Sequence, residues 1–428
     1  MRIRNSRQSR FRWSHGSVAE LFSGRDNSLG LLRLILASAV VLSHARVLGF
    51  GQREFGYGFA AGQTDMGKLS VFGFFVLSGM LVTRSGNRLP VGRFLWHRAL
   101  RLLPGLWVCL LVTAFAVAPF LYWRQHHDLA GFLGRADGPL DYIKANFAIR
   151  VHQWGISGIL DTAQSKGLAH NGGFNGALWS LEYEVLCYLG VALLALAGAR
   201  AGGVVRARRA VLAVTAVLGC YVLGDALTEP RLNIMEHPAR EGATAAVVGG
   251  YVVPWVFYLG FAFAIGALIE VYKERIPVSD PLGVLSGLAL LAALHYGGLY
   301  ILGVPALAYL LLWLAIRLPK PFRKVGHKHD YSYGIYIYGF VVEQAVAVLG
   351  GARWGFAAYL GICVAGTLAA AALSWHLVER PAMRLKDVGL SRPGLPRQAG
   401  RGDAAGTTAA DQDRDEAPAR VRAGVKAP

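Results

Sequence analysis

The first long apolar stretch of the chain, GLLRLILASAVVLSHARVLGF, contains an arginine and a histidine, Arg33 and His44. Ionisable side chains at membrane depth are costly, and where they occur they mark functional positions. On an α-helix their eleven-residue separation is about three turns, which returns to within ~20° of the same face. Both therefore look into one groove, ~16 Å apart along the axis, roughly half the thickness of a bilayer's hydrocarbon core. A fixed cation at one depth and an imidazole near the middle suit an anionic substrate brought to a reacting hydroxyl. Neutral imidazole takes the proton of such a hydroxyl, and an acid nearby tunes it for that task.

Three other segments carry candidate chemistry. The run RFLWHRALRLLPGLW puts Arg98 and Arg101 on one helix face, where two guanidiniums can hold phosphate oxygens in bidentate fashion. Projecting with Arg33, they would form a three-cation cradle for a nucleotide-like donor. The run FNGALWSLEYEVLCYLG places Glu182 and Glu184 beside Trp179 and Ser180, at the outer start of an apolar span. Being two apart, the carboxylates face different ways, so one of them is expected to orient or charge-balance His44. Ser78 in GFFVLSGMLVTRS, with Ser332 and Tyr336 in YSYGIYIYGF, are candidates for support or substrate contact. Helix packing at Ser78-Gly79 and interfacial placement of the tyrosines are the competing roles.

The elements that must position these residues follow from composition. The 428 residues are 54% hydrophobic and 16% charged, with mean hydropathy +0.39, which excludes a soluble protein of this size. Apolar spans are predicted near 30–49, 69–84, 102–122, 179–199, 209–228, 250–272, 279–296, 298–316, 331–349 and 354–378. The expected fold is therefore all-α, a polytopic membrane helix bundle of about ten transmembrane helices with both termini cytoplasmic. In that topology 32 of the 44 Lys and Arg fall on the cytoplasmic side, as the positive-inside rule demands. The net charge of +18 is thus a topology signal, and no nucleic-acid partner is expected.

Residues 1–28 read as a basic cytoplasmic lead-in, 29–386 as the membrane domain with an outer loop at about 123–178, and 387–428 as a disordered cytoplasmic tail. Cys109, Cys187, Cys220 and Cys363 stand singly in apolar spans, so packing is their expected role, and no cluster has metal-ligand spacing.

In order along the chain, Arg33-x10-His44, FFVLSG (74–79), the Arg98/Arg101/Pro104 run, LWSLEYE (178–184), SYGIYIY (332–338) and HLVERP (376–381) resemble the acyltransferase 3 family of bacterial integral-membrane acyltransferases. The resemblance covers residues 28–385 and implies a membrane O-acyltransferase of the bacterial inner membrane. Its donor would be an acyl-CoA, usually acetyl-CoA, approaching from the cytoplasm. Its acceptor would be a carbohydrate hydroxyl on an exopolysaccharide, lipopolysaccharide or lipid-linked glycan. No metal is implied. By position His44 matches the family's essential histidine, Arg33 its donor-side partner, Arg98 and Arg101 its arginine run, and Glu184 its carboxylate. His44 would act as general base or as an acylated nucleophile. The chain departs from the family at Phe72, where an aspartate is frequent, at Gly339, where a histidine is common, and at Val341, where a proline is. The alternative class is a glycan-lipid carrier or exporter without acyl-transfer chemistry.

Overall fold

Each apolar stretch folds as a helix, because a backbone deprived of water satisfies its N–H and C=O groups within its own segment. The computed structural model describes residues 16–160, 173–236 and 251–388, apart from 23, 25, 202, 203 and 327. Helices α1 (Leu29–Phe50), α2 (Met66–Gly86) and α3 (Val91–His126) come first, the third passing through a π-helical turn at Thr113–Val117. A short helix, α4 (Pro139–Asn146), lies in the long connection that follows. Next are α5 (Leu181–Ala201), α6 (Val204–Thr228), α7 (Val253–Val271), α8 (Asp280–Tyr296) and α9 (Val304–Arg317). Helices α10 (Ser332–Val348) and α11 (Phe356–Ser374) complete the bundle, and α11 continues through a π turn at Trp375–Glu379 into Arg380–Met383. Among the described residues the only strands are Gly16–Ser17 and Pro277–Val278, paired antiparallel.

Eight helical segments are long and apolar enough to cross a membrane. The other two expected spans correspond to α8 and α10, each of 17 residues. The bundle is thus all-α as expected, with eight segments of spanning length and two shorter ones. The tail beyond Val388 and the first fifteen residues of the lead-in lie outside the described residues, as do 161–172 of the outer loop.

Two crossings depend on glycine. A methyl group on Gly79 of α2 would sit 2.0 Å from the carbonyl oxygen of Phe263 on α7, and one on Gly266 of α7 would sit 2.0 Å from the carbonyl oxygen of Val76. The two backbones therefore touch, the close approach that small residues permit between membrane helices. On α10, Gly339 faces Val41 of α1 at 2.7 Å from such a methyl, so the family's histidine has no room there. Phe72 packs with Trp255 and Tyr300 in an aromatic cluster.

The start of α5 does not lie where the sequence places it. Asn175 Nδ2 donates to the Ile337 carbonyl at 2.7 Å, Gln344 Nε2 donates to the Gly173 carbonyl at 2.7 Å, and Gly176 abuts the Phe340 ring. The chain entering α5 is thereby pinned against the middle of α10. Residues 176–184 begin inside the bundle, and the expected outer start is corrected.

Candidate active site

Asp330, two residues before α10, gathers the basic end of the bundle. Its Oδ2 accepts from Arg33 Nη1 at 2.7 Å and from Arg101 Nη2 at 2.7 Å. Its Oδ1 accepts from the Ser332 hydroxyl at 2.6 Å. Burial alone would raise its carboxyl pKa, but the two guanidiniums and the Ser332 bonds prevail and hold it well below the usual carboxylate range. Arg101 Nη1 also donates to Glu379 at 3.1 Å, and Glu379, 2% exposed, accepts from the Ser374 hydroxyl at 2.9 Å. Two guanidiniums thus meet two carboxylates. Arg33, Arg98 and Arg101 come together as expected, but Arg33 and Arg101 are already paired with carboxylates. Among the described residues only Arg98 of the three lacks an ion-pair partner. It lies 5.8 Å from the centre of the Tyr188 ring, and its buried Nε has no hydrogen-bond partner.

Above this group the helices enclose a cavity of about 310 Å³. Arg33, Arg98, Arg101 and Ser332 line its basic end, with Ser78, Ser180, Glu184 and Tyr336 further in. Glu184 Oε1 accepts from the Ser78 hydroxyl at 3.0 Å and from the Tyr188 phenol at 2.6 Å. The Ser180 and Tyr336 hydroxyls are 2.6 Å apart. Glu182 points elsewhere, as its two-residue offset requires, and pairs with Arg150 at 3.5 Å. Trp179 is not in the cavity wall; its ring packs 4.6 Å from Trp255 and 5.8 Å from Tyr183, centre to centre.

His44 stands just beyond this cavity. Its ring lies edge-on to Phe340 with centres 5.0 Å apart. Tyr336, which lines the cavity, is one turn (~6 Å) nearer the basic end of α10. Arg33 and His44 thus both face α10, as their spacing predicts, one at its start and one near its middle. The expected pairing of Glu184 with His44 is absent, since Glu184 is engaged by Ser78 and Tyr188. The charged groups whose fields reach His44 are Asp65 and Lys68. Asp65 caps α2 by accepting from the Lys68 N–H at 2.9 Å, and also accepts from the Ser43 hydroxyl at 3.3 Å. His44 Nδ1 is buried and has no hydrogen-bond partner.

Sequence reasoning missed Asp330, Glu379, Tyr188 and Asp65. One signal for the first two was available: arginines in apolar helices need counter-charges, and acidic residues near the basic helix ends are few. Among the described residues no group of His, Cys, Asp or Glu forms a metal-ligand cluster, and all four cysteines are free thiols.

A helix bundle around a cavity, with half-buried arginines at one end and a histidine with an unpartnered Nδ1 beside the other, fits an integral-membrane enzyme site. The acyltransferase 3 family profile, described as an acyltransferase domain, matches residues 26–375, and the chain belongs to that family. It is 27% identical over 366 residues to an O-acetyl transferase of Shigella phage Sf6, covering 83% of this chain and 96% of that protein. It is 29% identical over 397 residues to nodulation protein 10 of Rhizobium leguminosarum bv. viciae, covering 87% of this chain and 97% of that protein. No solved structure matches it. The protein is a multi-pass membrane O-acyltransferase, which sets the carrier alternative aside.

Proposed function

We propose that this acyltransferase moves an acyl group, acetyl in the first instance, from acyl-CoA arriving at the basic end of the bundle to a hydroxyl of a carbohydrate at the other. The basic end is then cytoplasmic, the membrane is the bacterial inner membrane, and the acceptor is a surface or exported glycan. The observation that carries this reading is the cavity itself. It opens among Arg33, Arg98 and Arg101 and reaches to within one helical turn of a histidine whose Nδ1 is unpartnered.

The placement favours general base over acylated nucleophile for His44. His44 lies beyond the cavity lining, edge-on to Phe340, and Asp65 and Lys68, whose fields reach it, lie at the start of α2, on the far side from the basic end. A hydroxyl coming from that far side meets His44 before it meets the thioester. His44 takes the hydroxyl proton as the oxygen bonds to the acyl carbon, the carbon–sulfur bond breaks, and the proton passes to the departing thiolate. Asp65 stabilises the imidazolium formed on the way. Arg33 and Arg101, held by Asp330, keep the mouth of the cavity in shape, and Glu184 with Ser78 and Tyr188 fixes the wall along which the acyl arm lies.

The test is transfer of labelled acetyl from acetyl-CoA to endogenous glycan in membrane vesicles, wild type against His44→Ala at equal protein level. Loss of a positioned general base lowers the rate by ~10²–10⁴-fold. Undiminished transfer in the variant would remove His44 from the chemistry. Absence of transfer by the wild type, with glycan present, would overturn the choice of donor.

A further inference from the structure

The segment joining α9 to α10 carries Lys320, Arg323, Lys324 and Lys328. It lines a second cavity, of about 1010 Å³, together with Asp26, Gly30 and Leu34 around the start of α1. This vestibule and the reaction cavity share Asp330 and Ser332, so the two meet at the Arg33–Asp330–Arg101 group. Arg323 is already engaged, donating to Asp26 at 2.8 Å and to the carbonyls of Ile316 and Leu318. Among the described residues Lys320, Lys324 and Lys328 have no carboxylate within ion-pair distance. At the inner edge His329 and Tyr331 lie with their ring planes 8° apart and centres 5.8 Å apart. The His329 Nδ1 is buried without a hydrogen-bond partner.

Lysines that merely flank a membrane span reach outward to the bilayer edge. These three instead line a concavity leading to the reaction cavity. Resting on the acyl-CoA reading above, we propose that this vestibule seats the phosphates of the donor, on Lys320, Lys324 and Lys328. Coenzyme A bears a 3′-phosphate and a diphosphate, and lysines hold phosphates as mobile point charges without demanding one geometry. The His329 and Tyr331 rings offer flat faces for its adenine. The pantetheine arm then passes the Arg33–Asp330–Arg101 neck, whose guanidiniums are already engaged by the Asp330 and Glu379 carboxylates. The phosphate role moves from the three arginines to the three lysines, and Arg98 is left free within the reaction cavity.

The experiment uses the full chain in nanodiscs of zwitterionic lipid and compares wild type with the triple variant Lys320→Glu, Lys324→Glu, Lys328→Glu. Equilibrium binding of labelled CoA is expected to weaken at least tenfold in the variant. In the transfer assay KM for acetyl-CoA should rise by a similar factor, while KM for S-acetyl-pantetheine, which has no phosphate, should not move. That second donor also shows whether the variant has folded. Unchanged CoA affinity in the variant would overturn the vestibule assignment while leaving the donor reading intact. A wild type that binds no CoA would overturn both. Repeating the comparison in nanodiscs containing anionic lipid separates the other source of phosphate. If the variant loses retention of anionic lipid but keeps its CoA affinity, the lysines serve lipid headgroups and the proposal falls.

Discussion

Asp330 joins two arginines that lie 297 and 229 positions from it in sequence. Replacing it with asparagine keeps the shape and removes the charge, leaving Arg33 without a carboxylate and Arg101 with only Glu379. Breaking a buried pair from one side costs ~3–5 kcal/mol. Because the Asp330 side chain is 23% exposed, the lower end, about 3 kcal/mol, is expected for Asp330→Asn as reduced thermal stability in detergent. The pH dependence has a definite sign. The carboxyl is held below its ordinary range in the folded protein, so its contribution is complete above the unfolded value of ~4 and is lost as pH falls through the lower, folded value. The stability gap between wild type and Asp330→Asn should therefore be flat from pH 8 to about 5 and narrow only in stronger acid. A gap that closes near pH 6 would remove the Asp330 carboxylate as its cause. The sequence displayed the arginines plainly but not their partner, since a lone aspartate in a loop gains meaning only when the fold brings distant helices to it.

Elements were legible where hydropathy decides them and illegible where tertiary hydrogen bonds do. The apolar spans predicted from composition each fall on a helix, eight of them of spanning length and two shorter. The depth of Glu184 was not readable, because it depends on Asn175 and Gln344 pinning the approach to α5 against α10, and nothing in the local sequence records those bonds. The packing role read for Gly79 is present at the α2–α7 crossing, but its partner Gly266 is visible only in the structure. Gly79→Ala or Gly266→Ala would drive a methyl into a carbonyl oxygen of the facing helix. Overpacking of this kind costs ~1–3 kcal/mol, more than the ~1 kcal/mol that alanine gains over glycine inside a helix. Each variant should therefore unfold at lower temperature and give less monodisperse protein in detergent. Gly361→Ala on α11, where such a methyl meets nothing within 4 Å, is the control and should be neutral or slightly stabilising. Equal behaviour of all three would show that the α2–α7 crossing is looser than the structure places it.

For the whole molecule, the asymmetry of basic residues and the direction of the cavity point the same way. In the expected topology 32 of the 44 Lys and Arg fall on the cytoplasmic side, and in the proposed reading the reaction cavity, lined by Arg33, Arg98 and Arg101, opens toward that side. His44, Asp65 and Lys68 lie toward the opposite side, where α1 ends at Phe50 and α2 begins at Met66. Donor and acceptor would then approach from opposite faces, meeting between Tyr336 and His44. Acyl-CoA is a multiply charged solute that does not cross a sealed bilayer, so sidedness can be read directly from which vesicles support transfer. Sealed inverted vesicles, with the basic face outward, should transfer label from added acetyl-CoA. Sealed right-side-out vesicles should show at most a tenth of that rate until a pore-forming agent admits the donor. Efficient transfer by intact right-side-out vesicles would reverse the orientation inferred from the positive-inside rule, and with it the assignment of Arg33, Arg98 and Arg101 to the donor side.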